Sequence, residues 1–488
     1  MSKVRPAALL AAAGMALVTV AGLAMPASAR ATSTIRATGA PFIRAFVVPA
    51  TINTNAFGSD AVATGDGGYV VAGVAGNNIY DGWVAKLSPS GLVQWQEELG
   101  CGESGFSSVR PTADGGYVLG GYSNGCDPDC VKPGVSFPDC AWVVKLSAAG
   151  AVEWQQVFTG DDGANAAGVR QAGDGGYYVA GSTEDGTGTS YAWVARLAAD
   201  GNIVWQRRIG SPASTQADSV VPTADGGVAV SGSTGFSGDS SILAAKLDGN
   251  GNLQWQETFS PGYYDGGYSI QQTTDGGYIV GGQVTTPPSP GGSVNDGVLL
   301  KLGPRGTVQW ERRYTSPGTE YAGSSYVTRI HSVIQTASGG YALAGDTSFP
   351  AENRINAPIT GGSWLATTDA SGNITAQNVY YPVNPGTGLP YATDFYGLAQ
   401  ASDGGLAAIG YADEYHNSDD VWLVRTAPDL SAGASCSEVH TVRNLNTVAG
   451  GLTATASSLP ETSPPVSGGA ATVISGAATP DLTSEQDC

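Results

Sequence analysis

The chain has 488 residues, a formal net charge of −20 and 71 glycines. This acidity excludes nucleic acid and anionic membrane surfaces as partners. Glycine at that level without a collagen period points to turns rather than helices, and the length calls for several domains or a repeat architecture.

In chain order, residues 1–29 read as a secretory signal peptide. Lys3 and Arg5 precede an apolar run from Ala7 to about Ala24, and Ala27-Ser28-Ala29 offers small residues for cleavage. No later apolar run is long enough to span a membrane, so an exported chain is expected. Residues 30–42 read as a linker.

From residue 43 to 430 the sequence repeats. Asp66, Asp114, Asp174, Asp225, Asp275, Ser338 and Asp403 each begin (Asp/Ser)-Gly-Gly, at spacings of 48 to 65 residues. Another glycine lies seven positions on, from Gly73 and Gly121 to Gly410. Six positions before each Asp/Ser sits Asp60, Ser108, Gly168, Ser219, Ser269, Ser332 or Gly397, and an aliphatic residue usually follows it. Two short strands flanking a Gly-Gly hairpin turn account for this pattern.

A third strand follows, as in Trp83-Val84-Ala85-Lys86-Leu87 and Trp142-Val143-Val144-Lys145-Leu146. After a glycine turn comes a fourth, with Trp95, Trp154, Trp205, Trp255 or Trp310; Ala376 stands there in the sixth copy. Four antiparallel strands repeated seven times predict an all-β fold, a seven-bladed β-propeller. The tryptophans are expected to fill the spaces between blades. The recurring Lys86, Lys145, Arg196, Lys246, Lys301 and Arg425 are expected to pair with the turn aspartates.

The last copy lacks a fourth strand. Residues 43–48 are expected to supply it and close the ring, with Phe46, twenty residues before Asp66, in the tryptophan position.

These units resemble secreted bacterial β-propeller repeats of the Asp-Gly-Gly-Tyr, Trp-Val-x-Lys-Leu and Gly-x-x-x-Trp kind, over about residues 43–427. Gly150 to Trp154 is also similar to the tryptophan-docking motif of quinoprotein alcohol dehydrogenases. That family usually has Thr before the glycine, where this chain has Ser90, Ala149, Asp200, Asn250, Arg305 and Ser371. Its adjacent-cysteine ring, which stacks on the quinone, has no counterpart here. The resemblance implies a scaffold and no catalytic residue.

Variation concentrates in the connections between strands two and three and between units, including 283–295, 315–325 and 348–362. These loops share one face, the expected contact surface for a protein or glycan, with Tyr263, Tyr264, Tyr381 and Tyr391 on it. Cys101, Cys126, Cys130 and Cys140 cluster there, as disulfides or, in the rival reading, as a zinc site. Residues 431–488 are rich in Ser, Thr, Ala, Gly and Pro. They form either a loose stalk or extra strands, tethered by Cys436 and Cys488.

No nucleophile elbow or His-Glu-x-x-His motif is present, and the only histidines are His331, His416 and His440. Asp413, Glu414, His416, Asp419 and Asp420 form the densest polar cluster, either a Ca²⁺ site or a solvated acidic loop. No other cofactor is expected. The leading reading is a secreted, non-catalytic binding scaffold. The alternative is an extracellular enzyme at the axial mouth, a glycan-acting hydrolase or lyase or a quinoprotein-like oxidoreductase.

Overall fold

The computed structural model describes residues 40–432 except 48–53, 78–79, 101, 125–139, 161–162, 210–213, 236–239, 260–263, 290–291, 316–325, 351–358, 383–390 and 413–419, and also the backbone of five short strands within 446–485. Among these residues there is no helix, and none long and apolar enough to cross a membrane. Antiparallel four-stranded meanders recur along the chain. The first comprises Thr54–Ala63, Tyr69–Asn77, Tyr80–Leu87 and Val93–Leu99. Equivalent units begin with inner strands Ser104–Pro111, Gly163–Gln171, Thr215–Pro222, Gly266–Gln272 and Tyr326–Gln335. The fifth and sixth units join in one sheet through a short parallel pairing, Val294 with Tyr326 and Asn295 with Val327. The architecture is a propeller-like all-β repeat.

The six hairpins headed by an aspartate are held by the same contacts. Asp114 Oδ1 accepts the Gly116 N–H at 2.9 Å, and Gly115 adopts φ +86°, which favours glycine. A Cβ on Gly116 would lie 2.2 Å from the Leu146 carbonyl, so its place is closed to any larger residue. The strand-three cations do pair with the turn aspartates. Lys86–Asp66, Lys145–Asp114 and Lys301–Asp275 meet at 2.9 Å, and Arg425–Asp403 at 2.6 Å. Lys145 is 2 % exposed, and its ammonium is held by Asp114 together with Glu153 at 2.8 Å. The sixth unit replaces both members. Ser338 stands for the aspartate and Thr367 for the cation, and Thr367 bonds the Thr375 hydroxyl instead. A cation there would have no turn carboxylate to meet.

Packing between successive units uses the expected tryptophans. Trp154 donates to the Ala199 carbonyl of the next unit, as Trp205 does to Gly249 and Trp255 to Pro304. Trp154 also meets Tyr177 edge-on at 5.4 Å, a contact worth about 0.5–1.5 kcal/mol beyond burial. The strand-three indoles Trp83, Trp142, Trp193 and Trp364 are fully buried. Each apolar cluster spans two neighbouring sheets.

The last unit, Thr393–Gln400, Leu406–Ala412 and Asp420–Arg425, takes Phe42–Val47 as its fourth strand. The expected register is corrected here. Phe42, not Phe46, pairs with the cation Arg425, packs on Gly91 and meets Tyr69 at 6.4 Å. Phe46 sits opposite Val421 and packs on Trp83. The connection into the first unit is four residues longer than the other spacings suggested. An even shift keeps the same face inward, so both rings stay buried. One cluster unites Phe42, Phe46, Ile409 and Leu423 with Val71, Trp83 and Leu87 of the first unit.

Two expected loops contain strand. Residues 283–289 and 292–295 extend one hairpin, and 348–350 pairs with 359–361 in another. The C-terminal segment contributes extra strands. Residues 446–449, 454–456, 461–462 and 467–469 add edges to the fifth, fourth, third and second units in that order, and 483–485 pairs with 45–47.

Introducing Ser338→Asp and Thr367→Lys together should recreate the missing ion pair. Thr367→Lys alone should destabilise by leaving a partly buried ammonium unpaired. Urea unfolding of the double-mutant cycle should give a favourable coupling of about 1 kcal/mol; additive effects would contradict the pairing rule.

Candidate functional site

The first strands of the units share one cavity, and each carries a β-bulge. Pairing skips one residue in most units: Ser59, Ser107, Asp218, Tyr268, His331 and Tyr396, and Ala166–Ala167 in the third. The glycine seven positions after each Asp/Ser lies opposite. A Cβ on Gly121 would sit 1.9 Å from the Gly105 carbonyl, and one on Gly345 2.0 Å from that of Arg329. The bulge pushes that carbonyl across the ladder, and only glycine leaves room. All the skipped residues except Ala166 border one cavity of about 80 Å³. The residues that border it are at least partly solvent-accessible where their strand neighbours are mostly buried, and Ala166 is buried.

In three units the residue after the bulge holds the next unit. Asp60 accepts the Val109 N–H at 3.0 Å, Ser219 that of Ile270 at 3.3 Å and Ser269 that of Val333 at 3.2 Å. The small residues at these positions are therefore structural.

The bulge residues differ around the axis. They are Ser, Ser and Ala in the first three units, then Asp218, Tyr268, His331 and Tyr396. Tyr268 stacks on His331 at 5.3 Å, Tyr396 meets its edge at 4.8 Å, and Tyr396 stacks on Tyr411 at 6.1 Å. His331 Nε2 lies 3.4 Å from Asp346 Oδ1 and 3.4 Å from Asp394 Oδ2. Asp346 comes from the second strand of the same unit, and Asp394 from the inner strand of the next. Burial opposes charge on the imidazole, but the Asp394 charge and close contact with both carboxylates push its pKa up to about 9. Burial raises the Asp394 pKa, with His331 pulling against it. Burial, then the Asp218 charge, also raises that of Tyr268.

The same cavity is also bordered by cations. Arg110 and Arg170 stand four positions before their Asp-Gly-Gly, where other units have Val62, Val221, Gln271, Ile334 and Ala399. Arg110 pairs with Asp60. Among the described residues Arg170 donates only to neutral oxygens, Ser108 Oγ at 3.3 Å and the Val169 carbonyl at 2.8 Å. Burial, then Arg110, works against its charge, with the Asp60 carboxylate favouring it. Both arginines also line a second cavity of about 350 Å³, bordered by the ends of the inner strands that lead into the Gly-Gly turns. The smaller space suits an ion with water; the larger begins to suit an organic ligand.

Asp413, Glu414, His416 and Asp419 of the expected acidic cluster lie outside the described residues. Asp420 opens a strand opposite Ala412. Cys101, Cys126, Cys130, Cys436 and Cys488 also lie outside them. Cys140 begins a strand and is 2 % exposed, and no described cysteine is free. Of the expected loop aromatics, Tyr264 is exposed, Tyr381 and Tyr391 are half-buried, and Tyr263 is outside the described residues. Position relative to the repeat could have found the site. Seven positions before each Asp/Ser lies the bulge residue, and its identity varies while its neighbours keep to type.

No family model and no curated protein matches the chain. A protein of unknown function from Dyadobacter fermentans is similar in structure at 10% identity, with TM-score 0.44 over 79% of this chain and 99% of that one. Sqt1 of Chaetomium thermophilum matches at 10% identity and TM-score 0.38, over 80% and 98%. A structure described with the GH130 mannoside phosphorylases matches at 12% identity and TM-score 0.28, over 54% and 84%. Likeness of this kind says nothing of activity.

Burial raises the Asp218 pKa to about 7, offset in part by Gln216, and its Oδ2 is buried without a partner. Folding therefore retains a proton. Stability is full below about pH 4 and falls as pH rises through 7. Asp218→Asn should remove that fall. Measured by urea unfolding, the variant should gain roughly 1–2 kcal/mol on the wild type between pH 5 and 8, the shift being discounted where the carboxyl meets channel water. A difference independent of pH would contradict the assignment.

Proposed function

We propose that the chain is an exported, seven-bladed propeller that binds the acidic group of an extracellular glycan in its axial channel, without catalysis. Closure of the ring is supported by the cluster joining the last unit to the first. It is supported also by Gly397, where a Cβ would meet the Ala61 nitrogen at 2.6 Å. Export is supported by the leader-like residues 1–29 and the acidic composition.

The observation that carries the binding reading is the arginine pair. Arg110 and Arg170 sit at a repeat position that elsewhere carries uncharged side chains, so the fold does not require them. They face the same axial space as the tyrosines. A guanidinium such as Arg170, with no carboxylate hydrogen-bonded to it among the described residues, favours an anionic ligand oxygen in a walled space. Aromatic rings and carboxylates at the same cavity suit the hydroxyls and faces of a sugar ring.

Calorimetric titration with uronic-acid oligosaccharides should show binding that falls at least tenfold in Arg170→Gln with the melting temperature little changed. Uncharged oligosaccharides of the same length should bind weakly. Equal binding of both series, an unaffected variant, or release of shortened products would overturn the reading.

A further inference from the structure

We propose that His331, Asp346 and Asp394 bind a divalent transition-metal ion at the wall of the axial channel. The three ligand atoms come from three strands of two units and lie within 4.8 Å of one another. A cation equally distant from them would sit about 2.0–2.4 Å from each, the span of transition-metal and calcium bonds. Two carboxylates carry the −2 charge that a divalent ion neutralises. The imidazole favours zinc or manganese over calcium, which takes oxygen ligands.

Unsatisfied polar atoms point the same way independently. Asp394 is 4 % exposed, yet its Oδ1 has no hydrogen-bond partner. Asp346 Oδ1 and His331 Nε2 are likewise buried without a hydrogen bond, although close enough for charge attraction. Leaving such groups unpaired is costly in a folded protein. Other units place Val74, Tyr122, Ser182, Ser233, Gln283 and Tyr411 where the sixth has Asp346, so the repeat does not dictate the carboxylate. The charged neighbour is Arg329, whose Nη1 lies 3.9 Å from Asp346 Oδ1 and which is about one-third exposed. Tyr268 and Tyr396 close the imidazole from either side. Three protein ligands leave coordination positions open. His331 borders the cavity that Arg110 and Arg170 also border, so the metal's open positions would accept oxygens of the same anionic ligand. That last role rests on the glycan reading; the metal site itself does not.

The test is equilibrium dialysis of the full, metal-stripped protein against Zn²⁺ and Mn²⁺ at pH 7.5, with Ca²⁺ for comparison and no glycan present. One Zn²⁺ or Mn²⁺ should bind per chain. Asp394→Asn and His331→Gln should each weaken binding at least thirtyfold, while Asp200→Asn, in an exposed turn, should stay within twofold of wild type. Circular dichroism of every variant checks folding, and His331→Gln serves as the readout if Asp394→Asn does not fold. Nitrogen NMR of wild type should show the His331 Nε2 resonance shift on adding Zn²⁺. Absence of stoichiometric ion, preference for Ca²⁺, retention of the ion by His331→Gln, or an imidazole that stays doubly protonated with Zn²⁺ present would each overturn the proposal. Uronic-acid binding repeated with and without chelator separates the two readings. Metal bound without any effect on glycan would leave the site standing and remove only its role in ligand capture.

Discussion

Every unit of this protein is a sheet with two apolar faces, and the rest of the structure depends on that. A lone four-stranded sheet cannot hide both faces. Stacking against a neighbour on each side buries them, which is why the apolar clusters cross from one sheet to the next. The indoles of the third and fourth strands, the glycine turns they rest on and the caps on buried lysines all serve that contact. These positions repeat because every interface poses the same problem. The sixth unit shows the coupling: where Ser338 replaces the aspartate, the buried cation is gone as well.

The inner strand is where the repeat loosens. Its bulge takes a residue out of the ladder and frees it from the packing that disciplines its neighbours. The glycine facing the bulge is the recurrent trace of this device. The residue in the bulge is free to vary, and it varies by sector: small on three units, then Asp218, Tyr268, His331 and Tyr396 on four. Chemistry that breaks an otherwise strict pattern, and leaves buried polar atoms unpaired, is the kind a scaffold does not need.

Much of the fold was legible because period and turn chemistry are local. Asp-Gly-Gly between apolar runs marks the hairpin, and Trp-x-x-Lys marks the third strand and its ion pair. Completion of the last sheet by the N-terminal strand could be read from the missing fourth strand. Its register could not, because spacing from Asp66 assumes a connection of standard length, and Phe42 rather than Phe46 took the position. The site was poorly legible. His331, Asp346 and Asp394 are distant in sequence and meet through a bulge, a hairpin and a neighbouring unit, none of which composition reports. The acidic run from Asp413 drew attention by density alone. Arg110 and Arg170 were visible only as departures from their repeat position, which emerges once the units are aligned on the structure.

The account's central claim is that the residues released by the bulges form a site at the cavity they border. The most direct measurement is an anomalous difference map, collected at the manganese edge, from crystals grown with MnCl₂. The account predicts one dominant peak bonded to His331 Nε2 and to carboxylate oxygens of Asp346 and Asp394. A map with no peak there, or with its main peak on the 413–420 segment, would contradict it.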